Sequence, residues 1–366
     1  MADTNVSLKV DINCAGTGDF CLDLNCEIPG TGVTAIYGRS GSGKSTLLDC
    51  IAGLRHPDAG KISFGENGWF DQDRPTPPWE RRIGYVFQDT RLFPHLTVRG
   101  NLDFAAKRAV SAGPMPRDQL VSTLGLTNLL PQTPETLSAG QKQRVAIGRA
   151  LLSAPLLLLL DEPLANLDQQ ASGECLALLQ QLAQNLELPM LYVSHDIEEV
   201  SQLADHLLLL EDGKLLDQGS MLEMSTRLDS RLAHEEQAAA ILLGEVQAQD
   251  SDFSLTEIIV EGEALFVNHL EQPIGSHRRL RIPARDVSIC LARPEDSSIL
   301  NILPVTVEEI EACHGARLLL RLALGEQHLL ARITRKSAER LSLRVGDKVF
   351  AQIKSVALLS EAEDQQ

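Results

Sequence analysis

Apolar positions follow two different grammars along this chain. Over roughly the first 230 residues, short β-rich runs alternate with helical segments. V-T-A-I-Y before Gly38 predicts a strand, and Ser45 to Leu54 the helix after it. Farther on, Gln141 to Ser153 predicts a helix, Leu156 to Leu160 a wholly apolar strand, and the residues after Asp168 another helix. Strands apolar on both faces suit a parallel sheet covered on both sides, so this part is expected to be an α/β fold.

After Gly219, good helix formers such as A-H-E-E-Q-A-A-A predict a helix through about Leu243. From Gly244 the period shortens to two. S-L-T-E-I-I-V-E, L-R-I-P-A, D-V-S-I-C-L, L-P-V-T-V-E and K-V-F-A-Q-I-K-S-V predict short strands between Gly, Pro and Asp turns. The expected domains are an α/β domain at 1–233, a helical linker with a β-rich connecting segment at 234–290, and a β-rich, OB-like barrel at 291–360. The tail E-A-E-D-Q-Q is expected to fray.

Composition narrows the partners. The 366 residues, 43% of them hydrophobic, suffice for a sizeable core. A formal net charge of -17 disfavours nucleic acid and anionic lipid as ligands. The longest apolar run, Ala154 to Leu160, contains Pro155 and stops at Asp161, too short to span a bilayer. Membrane contact is therefore expected only through a protein partner. The start M-A-D-T-N-V-S lacks the basic and apolar blocks of a secretory signal, which implies a cytosolic chain. Cys14, Cys21, Cys26, Cys50, Cys175, Cys290 and Cys313 show no C-x-x-C pair and read as reduced thiols.

The chemistry begins at Gly38-Arg39-Ser40-Gly41-Ser42-Gly43-Lys44-Ser45, which fits G-x-x-x-x-G-K-[ST] between a strand and a helix. The glycines let backbone N–H groups turn inward around phosphate oxygens. Lys44 is expected at the β/γ-phosphates, Ser45 on Mg²⁺, and Thr46 near the α-phosphate. The strand of leucines ends in Asp161-Glu162-Pro163, which places two carboxylates at the carboxyl edge of a sheet. Beside a phosphate loop, Asp161 is the expected Mg²⁺-side carboxylate and Glu162 the group that polarises the attacking water. This is the signature of an α/β P-loop NTPase.

Leu137-Ser138-Ala139-Gly140-Gln141 opening a helix, Gln88 after Y-V-F-Q, and His195 in L-Y-V-S-H-D complete a pattern. Over about its first 230 residues the chain resembles the ABC ATPase family. The resemblance implies a homodimer with two ATPs between the subunits. Ser138, Gly140 and Gln141 of one subunit would then cap the γ-phosphate held by the other. It further implies that His195 contacts the γ-phosphate and Glu162, that Gln88 senses Mg²⁺ and the water, and that Asp168 links the two sites. Ala139 replaces the usual first signature glycine, and Phe20 is the one aromatic residue upstream that could stack on adenine.

Between Gln88 and Asp103, Phe93, Pro94 and His95 look exposed, and in the family this region receives the membrane subunit. The wording of this region resembles the ATPases of molybdate importers. S-S-I-L-N-I-L-P-V-T-V and F-A-Q-I-K-S-V likewise resemble the two ends of a Mop/TOBE-type molybdate-binding barrel. Matching residues gives Ser298, Lys354 and Ser355 as oxyanion candidates. Leu300 stands where that pattern carries arginine, so weak or absent oxyanion binding is expected there, unless Arg281 or Arg285 compensates.

The resemblance implies an ATP- and Mg²⁺-dependent subunit on the cytoplasmic face of the inner membrane. Its partners would be an integral-membrane permease dimer and, through it, a periplasmic molybdate-binding protein. Tungstate, sulfate or a sugar remain alternative cargoes. A soluble oxyanion-sensing regulator is the alternative of another class, although neither a helix-turn-helix nor a basic face is visible.

Overall fold

The structure, a computed structural model, describes residues 6–358 apart from 17, 19, 73, 271, 272, 314 and 355. Ser355 and the tail at 361–366 thus lie outside the described residues. The chain falls into two compact units divided after Gln218.

The first unit is built on a ten-stranded sheet. In chain order its strands are β1 (Ser7–Ala15), β2 (Cys21–Pro29), β3 (Val33–Tyr37), β4 (Ala59–Phe64), β5 (Asn67–Asp71), β6 (Ile83–Val86), β7 (Leu157–Asp161), β8 (Met190–Ser194), β9 (His206–Glu211) and β10 (Lys214–Ser220). Across the sheet they run β5-β4-β1-β2-β10-β9-β3-β8-β7-β6. β1 and β2 alternate buried and exposed residues and pair antiparallel, as a sheet with one wet face requires. β7 and β8 are buried at every position and run parallel, which is what a strand of leucines between two helical layers predicts.

Helices α1 (Lys44–Ala52), α2 (Val98–Ala106), α3 (Arg117–Thr123), α4 (Ala139–Leu152), α5 (Gln169–Asn185) and α6 (Ile197–Leu203) cover this sheet, with apolar faces in two clusters. Among the described residues no helix is long and apolar enough to cross a membrane. All seven cysteines are free, and burial pushes the thiols of Cys26 and Cys175 up to about 12.

The second unit corrects two expectations. The helix expected through Leu243 is limited to two short turns, α7 (Met221–Met224) and α8 (Arg231–His234), and Ala239–Asp250 is a strand, β11. Ala240, Leu242 and Val246 point into a core, and pairing with flanking strands outweighs the helix preference of the alanines. The segment at 234–290, expected as a separate linker, supplies half of that core.

With β11, the strands β12 (Leu255–Val260), β13 (Glu263–Asn268), β14 (His277–Pro283) and β20 (Ala357–Leu358) make one five-stranded antiparallel sheet. β15 (Val287–Cys290), β16 (Asn301–Ala312), β17 (Arg317–Leu324), β18 (Gln327–Thr334) and β19 (Lys348–Ile353) make the other. One cluster runs from Ala240 through Leu280 and Leu303 to Ile353, so both sheets share a single interior. A last helix, α9 (Arg335–Leu341), follows β18.

One buried cation ties the end of α1 to the segment before β6. Arg81 is 1% exposed; its Nη1 donates to the carbonyls of Cys50 (2.8 Å) and Ile51 (2.7 Å), and its Nε to that of Thr76 (2.9 Å). It thereby satisfies the last carbonyls of α1. Gly53, at φ 76°, lets the guanidinium approach, since a Cβ there would lie 2.7 Å from Arg81 Cζ. Arg81→Met should strand these carbonyls and destabilise the first unit by about 2–4 kcal/mol in urea denaturation. A loss below about 0.5 kcal/mol would contradict the assignment.

Candidate active site

Strand register assembles the site. β3, β8, β7 and β6 are neighbours and parallel, with Tyr37 opposite Ser194, Asp161 opposite Val193, and Val86 opposite Leu160. Their carboxyl ends therefore fall in one row. Each is followed by a residue singled out from the sequence: Gly38 after β3, His195 after β8, Glu162 after β7 and Gln88 after β6. That row is where the ligands of parallel α/β sheets bind.

The phosphate loop is shaped for an anion. Gly41 and Gly43 have φ 84° and 101°, and Gly43 caps α1 without a side-chain bond. A Cβ at Gly43 would lie 2.9 Å from both Leu22 Cδ1 and Phe20 Cζ, and one at Gly38 would lie 2.2 Å from the Leu210 carbonyl oxygen. Only glycine fits either place. Phe20, the upstream aromatic residue, thus abuts the loop. Ser42 is buried and its Oγ has no partner. Arg39, Ser40 and Ser45 are exposed, while Thr46 is half-buried.

Lys44 is 5% exposed, and its Nζ donates to the carbonyls of Gly38 (2.7 Å) and Arg39 (3.0 Å). Glu162 Oε1 stands 3.9 Å from that ammonium. Burial lowers the Lys44 pKa, and the Glu162 and Asp161 carboxylates oppose the shift. Burial likewise raises the pKa of Asp161, opposed by the hydrogen bond from Ser45 Oγ to Asp161 Oδ1 at 3.0 Å. Ser45 and Asp161 thus present two hard oxygens side by side, the donor type a small divalent cation takes.

Glu162 has φ 43°, a left-handed conformation uncommon for a glutamate, and its N–H donates to the Val193 carbonyl at 3.1 Å. The turn swings its carboxylate between Lys44 and His195, whose Nδ1 lies 3.5 Å from Glu162 Oε2. The backbone behind His195 is fixed by Ser194, whose Oγ donates to Glu199 (2.7 Å) and accepts from the Asp196 N–H (3.0 Å). Gln88 is exposed, held through its carbonyl by Asn166 Nδ2 at 3.5 Å.

Sequence reasoning missed two members of this network. Tyr85 OH donates to Asp49 Oδ1 at 3.1 Å and lies 3.5 Å from Asp161 Oδ2, which fixes the second oxygen of that carboxylate. Burial drives the phenol pKa upward, so it stays a donor. A tyrosine in a β-run must place its hydroxyl somewhere, and that was the available signal.

Ser138 and Asp168 lie together at a second place. Ser138 caps α4, accepting from the Gln141 N–H (3.3 Å) while Gln141 Oε1 accepts from the Ser138 N–H (3.0 Å). Asp168 caps α5 by accepting from the Ala171 N–H at 2.9 Å. Both, with Gly140, Gln141 and the Arg144–Glu174 ion pair, line a cavity of about 410 Å³ that includes none of the residues 38–46.

The region at Phe93 differs from its reading. Phe93 is half-buried, its ring 4.5 Å from that of Phe104 and 5.2 Å from the Arg149 guanidinium, whereas Pro94 and His95 are exposed. Buried Asn101 pins the turn, accepting from the Phe93 N–H (2.8 Å) and donating to the carbonyls of Phe93, Leu96 and Thr97. Arg149 of α4 also donates to the carbonyls of Arg91 and Thr90, which ties this turn to the helix opened by Ser138. In the second unit, Asn301 pairs with Ile353, which brings the segments of Ser298 and Lys354 to one end of the sheet; both residues are exposed, as is Leu300.

Comparison with known proteins gives the family of the chain. Residues 21–165 match the ABC transporter family model and residues 297–359 the TOBE domain model. The molybdenum import ATP-binding protein ModC of Pseudomonas fluorescens is 45% identical over 94% of this chain and 98% of its own length. Those of Hahella chejuensis and Pseudomonas aeruginosa are each 46% identical over 93% of this chain and 96% of their own length. Among solved structures, cbiO1 from Clostridium perfringens, part of the ABC transporter complex cbiONQ, has a TM-score of 0.52 and 29% identity, covering 60% of this chain and 90% of its own. The chain therefore belongs to the ABC transporters as an ATP-binding subunit, in the family of the molybdenum import ATP-binding proteins.

Proposed function

We propose that this chain hydrolyses ATP to drive molybdate import, as one of two copies seated on the cytoplasmic side of a membrane permease that a periplasmic binding protein supplies. The row of strand ends carrying Lys44, Glu162 and His195 is the observation that supports the chemistry. The cargo is supported by identity of about 45% that runs through both units.

Glu162 accepts the proton of the attacking water, and His195, 3.5 Å away, holds that carboxylate in line. Lys44 exchanges its two loop carbonyls for phosphate oxygens and neutralises charge developing on them. Ser45 and Asp161, with Gln88 at the rim, would hold Mg²⁺, which supplies charge neutralisation at the β/γ-phosphates. Phe20 stacks on the adenine, a reading supported by its nearness to Gly43. Ser138, Gly140, Gln141 and Asp168 line a separate cavity, which fits service to a second copy's nucleotide. Pro94 and His95 are the permease contact, and Arg149 carries movement of that turn to α4. At the Ser298–Lys354 end, Leu300 is 60% exposed and offers no donor, so oxyanion contact there is weak.

Glu162→Gln should slow ATP hydrolysis by on the order of 10²–10⁴ while ATP affinity stays within a few-fold. Unchanged turnover would remove Glu162 from its role. In the complex reconstituted with permease and binding protein, molybdate should stimulate ATPase activity while sulfate leaves it basal, and His95→Asp should abolish the stimulation with basal turnover retained. Stimulation by sulfate alone would reassign the cargo, and normal coupling in the variant would move the docking surface elsewhere.

A further inference from the structure

The second unit holds a basic pocket that the transport reading does not use. A cavity of about 340 Å³ is lined by Arg285, Arg317, Arg332 and Thr334, with Glu236 and Ile333. Strand pairing builds it. Arg317 at the start of β17 is directly opposite Thr334 at the end of β18, and Arg332 lies two residues before Thr334. Cross-strand partners share a face, as do residues two apart, so these three side chains leave the same side of the sheet. Arg285 joins them from the turn after β14, next to Ala284, which packs with Leu319 and Leu330 on that same face.

Arg332 is a fixed cation. Its guanidinium donates to the carbonyls of Ala233 (3.3 Å), Glu235 (2.6 Å) and Glu236 (3.1 Å), while its Nε is buried with no partner. Arg285 and Arg317 are exposed, and among the described residues neither guanidinium has an ion pair or hydrogen bond. Arg321, farther along β17, is by contrast paired with Glu308 and Glu309. In a chain with 50 acidic residues against 33 lysines and arginines, three guanidiniums gathered around one carboxylate run against the composition. Like charges lining one cavity repel, and an anion held between them relieves that repulsion.

We propose that this pocket binds a tetrahedral dianionic oxyanion group carried on a small molecule, a phosphate monoester. Planar guanidinium forks match the oxygens of such a group in pairs. A bare tetrahedral anion would leave much of the 340 Å³ unfilled, whereas the volume reaches the lower range of small-molecule sites. Ser298, Lys354 and the residues 38–46 are absent from the lining of this pocket.

The test is calorimetric titration of the full chain with inorganic phosphate and with glycerol 3-phosphate. Glycerol 3-phosphate should bind more tightly than phosphate, and Arg285→Gln with Arg317→Gln together should weaken it about tenfold or more. Both side chains are exposed and unbonded, so the fold should survive, and thermal unfolding matching the parent's verifies this. Lys354→Ala and Lys44→Ala should leave this binding unchanged. Undiminished binding in the double variant, or loss in Lys44→Ala, overturns the site. Equal affinity for the two ligands overturns the monoester.

Discussion

A buried ammonium sits at the centre of the first unit, and the surrounding structure is arranged to make it tolerable. Lys44 is almost fully enclosed, which disfavours its charged form, yet it faces two carboxylates, one of which is itself desolvated. Removing charges from water is costly unless each finds a partner. The Gly38 and Arg39 carbonyls supply partners on one side and Glu162 on the other. Under the proposed function a triphosphate takes the place of those carbonyls at the ammonium. The same enclosure would strengthen every contact a bound phosphate makes.

The remaining elements are bonded to that centre. Glu162 is held in an unfavourable backbone conformation by one bond to β8, the strand that also ends at His195. Tyr85 ties Asp161 to α1 through Asp49 and lies on β6, the strand that leads to Gln88 and the Phe93 turn. Arg149 then links that turn to α4. A continuous set of bonds thus runs from the carboxylates to the surface proposed to meet the permease. Among the described residues, Ser138 and Asp168 line a cavity that includes none of the phosphate-loop residues, which is why the proposed function assigns them to a second copy's nucleotide.

How much of this could be read from the sequence depended on how local each feature is. The phosphate loop was legible because its glycines answer to constraints within a few residues. Asp161 and Glu162 were legible because the leucine strand before them fixed an edge. Tyr85 escaped because its meaning depends on Asp49 and Asp161, far away in the chain. The alanines near residue 239 promised a helix, and only pairing with β14 explains why they form a strand. Phe93 looked exposed because the ring that covers it, Phe104, comes from the following helix. Arg285, Arg317 and Arg332 were invisible as a group until β17 and β18 were paired.

The central claim is that one chain's Lys44 works with another chain's Ser138. It is tested most directly by mixing two inactive full-length chains, Lys44→Ala and Ser138→Arg, and measuring ATP hydrolysis. If the sites are composite, a mixed pair contains one intact site, made of Lys44 from the second chain and Ser138 from the first. The account predicts that activity absent from either chain alone returns on mixing. Activity that stays absent across all mixing ratios, with pairing verified by mass, would contradict it.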